Sequence, residues 1–240
     1  MKIIGISDLH GYLPDPGTFP EGDVLCIAGD ISPLKAQGNM PQMISWIRKE
    51  FVKWIEELPV KKVFLVAGNH DFVFEHNEYR AEAISSLNIL SDKITYLEDS
   101  SYLYENKLFY GSPWVIGPKG WAFYDKDLNN IVETIPMDAD VCILHQPLHF
   151  GDNGRVLQVP SWMIGQTISF PVTDEFFHPD YGSTVLDELA ILRHPKLVLT
   201  GHVHSGNHNI SKLFDTKIAN VSVLDEDYKP KYDPFVINLD

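Results

Sequence analysis

Asp8 and His10 in SDLHG, Asp30 in GDIS, Asn69 and His70 in GNHD, His145 in HQP, and His202 and His204 in GHVHSG share one setting. Each carboxylate, amide or imidazole follows directly on an apolar run. Oxygen and imidazole nitrogen donors without a thiolate suit Mn²⁺, Fe or Zn²⁺ in a reactive centre rather than a structural zinc knuckle. Side chains two apart in an extended segment point the same way. Asp8 with His10, and His202 with His204, can therefore each chelate one centre or two adjacent ones. These donors are too many for one tetrahedral ion and divide naturally into two sites. Asp8, Asp30 and a bridging hydroxide would leave two divalent ions with net positive charge, which draws in a phosphoester. One such histidine or aspartate alone would read as a structural hydrogen-bond partner or a turn residue. Five in matching places argue for a common centre.

The elements that must bring them together are legible as short apolar strands. KIIGIS (2–7), VLCIAG (24–29), VFLVAG (63–68), VCIL (141–144) and LVLTG (197–201) are continuous rather than alternating, the pattern of strands covered on both faces. Between them lies helical periodicity. Ile44, Ile47, Phe51, Trp54, Ile55 and Leu58 fall at three- and four-residue steps, and Pro59 ends the run. Shorter helices are expected around EYRAEAISSL and over STVLDELAILRH, entered at Ser183 or Thr184 and stopped by Pro195. Alternating strands and helices predict an α/β domain with a largely parallel sheet. ITYLEDSSYLYENKLFYGS instead predicts a hairpin turning at Glu105-Asn106, in a second and more antiparallel sheet. In parallel α/β sheets ligands bind beyond the carboxyl ends of the strands, so all five endings converge on one crevice. Residues 146–182, rich in Gly, Pro and aromatics without clear period, are expected to form a long loop shaping that crevice. Residues 1–240 are read as one domain.

The ordered motifs DLHG, GDIS, GNHD, HQP and GHVHSG resemble the signature of the calcineurin-like metallophosphoesterase superfamily, from Asp8 to His204. The resemblance implies a sandwich of two mixed β-sheets flanked by helices. It implies that Asp8, His10, Asp30 and His204 hold one metal ion, and that Asp30, Asn69, His145 and His202 hold the other, with Asp30 shared. A hydroxide bridging the ions would attack phosphorus, and His70 would protonate the departing alkoxide. YGSPWVIGPKGWAF (110–123) and NVSVLDEDY (220–228) are similar to segments of a small metallophosphoesterase-domain branch. Some members of that branch lack the first histidine of the last motif and are weak enzymes. His202 is present here, which implies a competent second site. The 146–182 stretch is longer than in compact members.

Composition and charge narrow the substrate. A formal charge of −14 argues against binding to nucleic acid or to an anionic membrane. The four arginines, at 48, 80, 155 and 193, leave none just after the second and third motifs. Phosphatases of the superfamily place a fork there to grip a dianionic monoester. The expectation is a phosphodiesterase acting on small, cyclic or otherwise nucleotide-like diesters, with Mn²⁺ first and Fe, Zn²⁺, Mg²⁺ or Ni²⁺ as alternatives. Phosphomonoesterase, nuclease, and metal-binding scaffold with vestigial activity are the competing readings. Asn69 and His145 are expected to touch substrate as well as metal, and Trp114 to stack on a base, ahead of Trp121, Tyr124 and Trp162. His149 is a further pocket candidate. Cys26 and Cys142 sit inside apolar runs and read as buried core thiols. No run nears the ~20 apolar residues of a membrane span. MKIIGISDLH enters a strand at once, so no signal peptide is expected and a cytoplasmic location is the default.

Overall fold

The computed structural model of the protein describes residues 1–117, 119–163 and 178–240. Residues 164–177, in the middle of the long loop expected over 146–182, and the side chain of Trp162 lie outside the described residues.

Apolar runs become strands whose alternate side chains serve two different cores. The strands are β1 (Lys2–Ile6), β2 (Gly22–Ala28), β3 (Val60–Val66), β4 (Ile94–Tyr96), β5 (Ser100–Tyr104), β6 (Lys107–Ser112), β7 (Val115–Ile116), β8 (Tyr124–Asp125), β9 (Val141–Leu144), β10 (Leu197–Thr200), β11 (Ser211–Leu213), β12 (Thr216–Asn220) and β13 (Phe235–Asn238). One sheet runs β13-β1-β2-β3-β4 and the other β11-β12-β10-β9-β6-β5. In the first, β1 to β4 pair in parallel and β13 adds antiparallel to β1. In the second, β6, β9, β10 and β12 are parallel, while β5 and β11 are antiparallel edges. Both sheets are mixed, as the family resemblance implies. The expected hairpin is the β5–β6 pair, with Glu105 and Asn106 both at positive φ, the conformation a two-residue hairpin turn needs.

The strand period of two assigns each residue its layer. On β2, Val24, Cys26 and Ala28 face the second sheet and pack with Phe64, Phe109, Val141, Ile143 and Leu199. Leu25 and Ile27 face outward onto Ile44, Ile47, Phe51 and Ile55. On the far side Cys142, Leu144 and Val198 pack against Leu186, Leu189 and Ala190. Two back-to-back sheets each covered by helix explain why the strands read as continuous apolar runs. Phe64 and Phe109 stack across the inter-sheet core at 4.4 Å, an arrangement that adds ~0.5–1.5 kcal/mol beyond area burial. Both cysteines are fully buried and free, and burial raises both thiols, Cys142 to about 12.

The periodic segment 40–58 is one continuous helical run with a π turn at Ile47–Phe51, between Met40–Trp46 and Val52–Glu57. Asn39 caps its start, its side chain accepting from the Gln42 N–H at 3.1 Å. Ser183 likewise caps Thr184–Arg193. Among the described residues no helix is long and apolar enough to cross a membrane.

Candidate metal centre

The loops leaving β1, β2 and β3 of one sheet and β9 and β10 of the other meet at one end of the sandwich. Ser7 and Ser222 form a parallel bridge there, tying the end of β1 to the chain after β12. The turns are tight. Asp8, His10, Asp30 and His202 all adopt left-handed backbone, at φ of 55°, 44°, 54° and 69°. Such positions cost ~1–3 kcal/mol each when they are not glycine, and they persist where their side chains are required. Gly29 and Gly68 serve the opposite need. A β-carbon at either would collide with the His145 ring, and at Gly68 also with the Asp30 carboxylate.

All seven side chains expected to bind metal come together. Asp30 lies 3.3 Å from His145 Nε2 and 3.8 Å from His10 Nε2. Asp8 lies 3.6 Å from His204 Nε2. Asn69 Oδ1 lies 3.0 Å from His145 Nε2 and 2.7 Å from His202 Nδ1. Three overlapping groups keep their ligand atoms within 4.8 Å of one another: Asp8, His10 and His204; His10, Asp30 and His70; Asp8, Asp30 and His145.

The outer contacts aim these donors inward. His145 Nδ1 and His204 Nδ1 donate to the carbonyls of Ala28 (2.7 Å) and Asp225 (2.9 Å). That is the usual support for a metal-ligating histidine. Asp8 accepts from the His202 N–H at 3.1 Å and from Ser222 Oγ at 2.6 Å. Asp30 accepts from the His70 N–H at 2.7 Å.

A cation fits this donor set. His10 Nε2 and His204 Nε2 face each other at 3.2 Å. His204 gives its ring proton to Asp225, so its Nε2 carries a lone pair. His10 Nδ1 is buried and has no partner among the described residues, so neither tautomer of that ring is satisfied by hydrogen bonding alone. An ion taking both Nε2 lone pairs satisfies the facing nitrogens, and two ligands each ~2.1 Å from one ion stand about this far apart.

Electrostatics point the same way. Burial presses His10 and His202 down to about 3, despite the neighbouring carboxylates, and so keeps both rings neutral. Asp8 and Asp30 are buried, which opposes their charge. The surrounding histidines outweigh burial, His204 first at Asp8 and His145 first at Asp30, and hold both carboxylates below the ordinary range. His145 is the exception among the rings. Burial opposes its charge, but Asp30, Asp8 and the Ala28 carbonyl lift it to about 9. In the metal-free protein that imidazolium contributes stability below pH 6.5, and the contribution is lost as pH rises through about 9. A metal must displace its Nε2 proton. Titrating Mn²⁺ or Zn²⁺ into metal-free protein at pH 7 is therefore expected to release about one proton per chain at this residue. Calorimetry in buffers of different ionisation enthalpy reads that number. Metal uptake without proton release would mean that His145 is not a ligand.

Other expected site residues are placed as follows. His70 turns Nε2 toward Asp30 at 3.9 Å. Its Nδ1 donates to Gln37 Oε1 at 3.0 Å, so Gln37 orients the ring. Asp71 does something else. It accepts from the N–H groups of Ile31, Ser32 and Gly68 and from Ser32 Oγ, holding the two turns together. Burial, then Asp30, raises it to about 6. A cleft of about 480 Å³ opens over the centre, lined by Asn69, His70, Trp121, His202, Glu226 and Tyr228 among others. Trp114 is not on its wall: its Nε1 donates to Asp99 at 2.6 Å and its ring meets Phe123. Trp121 takes the place expected of Trp114, its ring 4.3 Å from that of His70. His149 stands outside the cleft, beside Asp180 and Asp187. Gln37, Ser222, Glu226 and Tyr228 were not identified as site residues from their own sequence positions. Their one local signal is that Ser222, Glu226 and Tyr228 fall within the quoted NVSVLDEDY segment.

Comparison with known proteins agrees with this geometry. The human metallophosphoesterase domain-containing protein 1 is 27% identical over 259 residues, covering 99% of this chain and 71% of that protein. Caenorhabditis elegans UPF0046 protein C25E10.12 is 27% identical over 253 residues, covering 100% of this chain and 81% of that one. Among solved structures, TT1561 of Thermus thermophilus matches with a TM-score of 0.55 at 14% identity, over 94% of this chain and 90% of that one. The Mycobacterium tuberculosis phosphopantetheinyl hydrolase matches with a TM-score of 0.52 at 15% identity, over 92% and 89%. At such identity the two solved structures speak for the fold alone. The sequence match is of another kind, because it runs over residues 1–206, from the first strand through the last donor motif: the chain belongs to the calcineurin-like phosphoesterase family.

Proposed function

We propose that this protein is a phosphodiesterase that works with two divalent metal ions, Mn²⁺ foremost, on small nucleotide-like diesters. Asp8, His10, Asp30 and His204 hold one ion, and Asp30, Asn69, His145 and His202 the other. When bound, the ions supply Lewis-acid activation of water and neutralise charge on the phosphoryl oxygens. The protein's own part is to position and to move a proton. His70 Nε2 gives its proton to the departing alkoxide while Gln37 fixes the ring through Nδ1. Asn69, on the cleft wall, is placed to meet the phosphoryl group, whereas His145 is fully buried behind it and serves as a ligand only.

One observation carries the diester preference: among the described residues no arginine or lysine lines the cleft. Arg48 pairs with Glu82 and Arg80 with Glu98, both away from it. A phosphomonoester near neutral pH carries close to two negative charges, because its second pKa is about 6, whereas a diester carries one. With only the centre itself to meet that charge, the monoanion is the better match. The small cleft and the charge of −14 favour a small diester over a polynucleotide.

The test compares bis-nitrophenyl phosphate with nitrophenyl phosphate, which share a leaving group, with Mn²⁺ supplied. kcat/KM is expected to be higher for the diester. A tenfold preference for the monoester, about 1.4 kcal/mol at the transition state, would overturn the reading in favour of a phosphatase.

A further inference from the structure

The turn after β12 puts two side chains on the cleft wall that hydrolysis itself does not use. Asp225 builds this turn. Its carboxylate accepts from the N–H groups of Asp227 (2.9 Å) and Lys229 (3.0 Å). Its carbonyl accepts from Tyr228 N–H at 2.8 Å and from the His204 ring at 2.9 Å. The turn is thus locked to the metal centre, and it presents Glu226 and Tyr228 to the cleft.

The wall they join is largely aromatic and aliphatic. Tyr228 stands edge-on to His10 at 4.9 Å and to His204 at 5.1 Å. Trp121 stands against His70. Ile116, Val156 and Val203 add apolar surface, and Tyr181, Asn69 and His202 also line the cleft. Aromatic walls of this kind receive planar rings whatever their sequence identity, since every base has a π-face.

Glu226 breaks the apolar character, and the protons of Ser205 fix its orientation. Ser205 Oγ accepts from the N–H groups of Leu157 and Gln158, each at 3.0 Å. Its own hydroxyl proton therefore goes to Glu226 Oε1 at 2.8 Å, which also accepts the Ser205 N–H at 2.9 Å. Oε1 is occupied twice over. Oε2 is left without a hydrogen-bond partner among the described residues, on a cleft wall that holds no lysine or arginine. Glu226 is half-buried, and a carboxylate oxygen free of protein donors on that wall can accept from a donor on the substrate.

Resting on the phosphodiesterase reading, we propose that Glu226 is a specificity-determining residue: Oε2 accepts an N–H from a planar, amino-bearing base on the substrate, between Trp121 and Tyr228. The same charge repels a second anionic group at that end of the cleft. The substrate class is then a singly charged diester of a nucleotide with an amino-bearing base, not a nucleoside polyphosphate or an acidic ester.

Glu226→Gln tests this sharply. Ser205 donates twice toward Oε1, so the glutamine must keep its oxygen there and turn its NH₂ into the cleft. The acceptor facing substrate becomes a donor. The probes are the 4-nitrophenyl esters of adenosine 5′-phosphate and purine riboside 5′-phosphate, which differ only in the 6-amino group. In the native protein kcat/KM is expected to favour the adenosine ester by ~10-fold or more. In Glu226→Gln that ratio is expected to fall to about one or to invert. Reading a ratio within each protein cancels any general loss caused by the substitution. Calorimetric binding of the two free nucleoside 5′-phosphates to the metal-loaded protein gives the same ratio without turnover. No hydrolysis of any diester, with the binding ratio intact, would overturn the catalytic reading and uphold this one. A ratio near one in the native protein, or one that Glu226→Gln leaves unchanged, would overturn the role of Glu226.

Discussion

Asp30→Asn is expected to lower kcat/KM by at least ~10³-fold and to cut metal content. The magnitude follows from how much one carboxylate serves. Three histidine rings, those of His145, His10 and His70, come within 3.9 Å of it, and the backbone N–H of His70 donates to it at 2.7 Å. Asparagine keeps the shape and one acceptor oxygen but removes the charge. Losing a single preorganised electrostatic group already costs ~10²–10³-fold, and in the proposed site the group is also the shared ligand. The metal-free fold suffers less than a broken buried ion pair would suggest, because His145 can release its proton once Asp30 no longer supports it. Elemental analysis of the purified variant, beside its turnover of bis-nitrophenyl phosphate, checks both halves. Full metal content with near-native turnover would remove Asp30 from the shared position.

His70→Ala is expected to do the converse, keeping metal while losing ~10²–10⁴-fold in rate, the usual contribution of a general acid. Alanine retains the backbone N–H that donates to Asp30, so the ligand set stays as it is. What disappears is the ring between Gln37 and the cleft. The loss should be greatest for esters of poor leaving groups, whose alkoxides need the proton, and should shrink for nitrophenolate. Burial works against the imidazolium of His70 more than Asp30 supports it, so its value lies below the ordinary one. With Nδ1 already donating to Gln37, only the imidazolium has an Nε2 proton to give, and the rate is expected to fall as pH rises above that value. An equal loss across leaving groups would assign the ring to binding rather than proton transfer.

The five donor-bearing strands were legible because each is covered on both faces, which forces a continuous apolar run up to the point where a polar side chain must appear. Ile3 and Ile4 illustrate it: one packs in the inter-sheet core, the other beneath the 40–57 helix. The helix over 40–58 was legible from its period, but its π turn at Ile47–Phe51 carries no composition signal. β7, β8, β11, β12 and β13 were missed. β7, β8 and β11 run only two or three residues, β12 interrupts its apolar residues with Thr216, Lys217 and Asn220, and β13, an edge strand paired to β1, leaves Val236 exposed. The residues that gather at the candidate centre were legible because a shared chemical task restricts residue type and spacing. Their supports were not. Ser222 meets Asp8 across 214 residues of chain, and nothing local in a serine announces that partner. Trp114 and Trp121 look alike as loop tryptophans. Which one faces the cleft was decided by Asp99, which takes the Trp114 indole proton.

The donors are drawn from both halves of the sandwich. Asp8, Asp30 and Asn69 follow strands of one sheet, and His145, His202 and His204 follow strands of the other. Any ion held across that divide would be a further clamp between two layers that apolar packing and a few hydrogen bonds at this end, Ser222 to Asp8 and His145 to Ala28 among them, already join. An ion present at a hundred times its dissociation constant adds ~2.7 kcal/mol to the folded state, a large share of the ~5–15 kcal/mol that a domain usually has. Metal supply would then govern how much of this protein survives proteolysis in a cell, and scarcity would thin its numbers as well as silence the copies that remain.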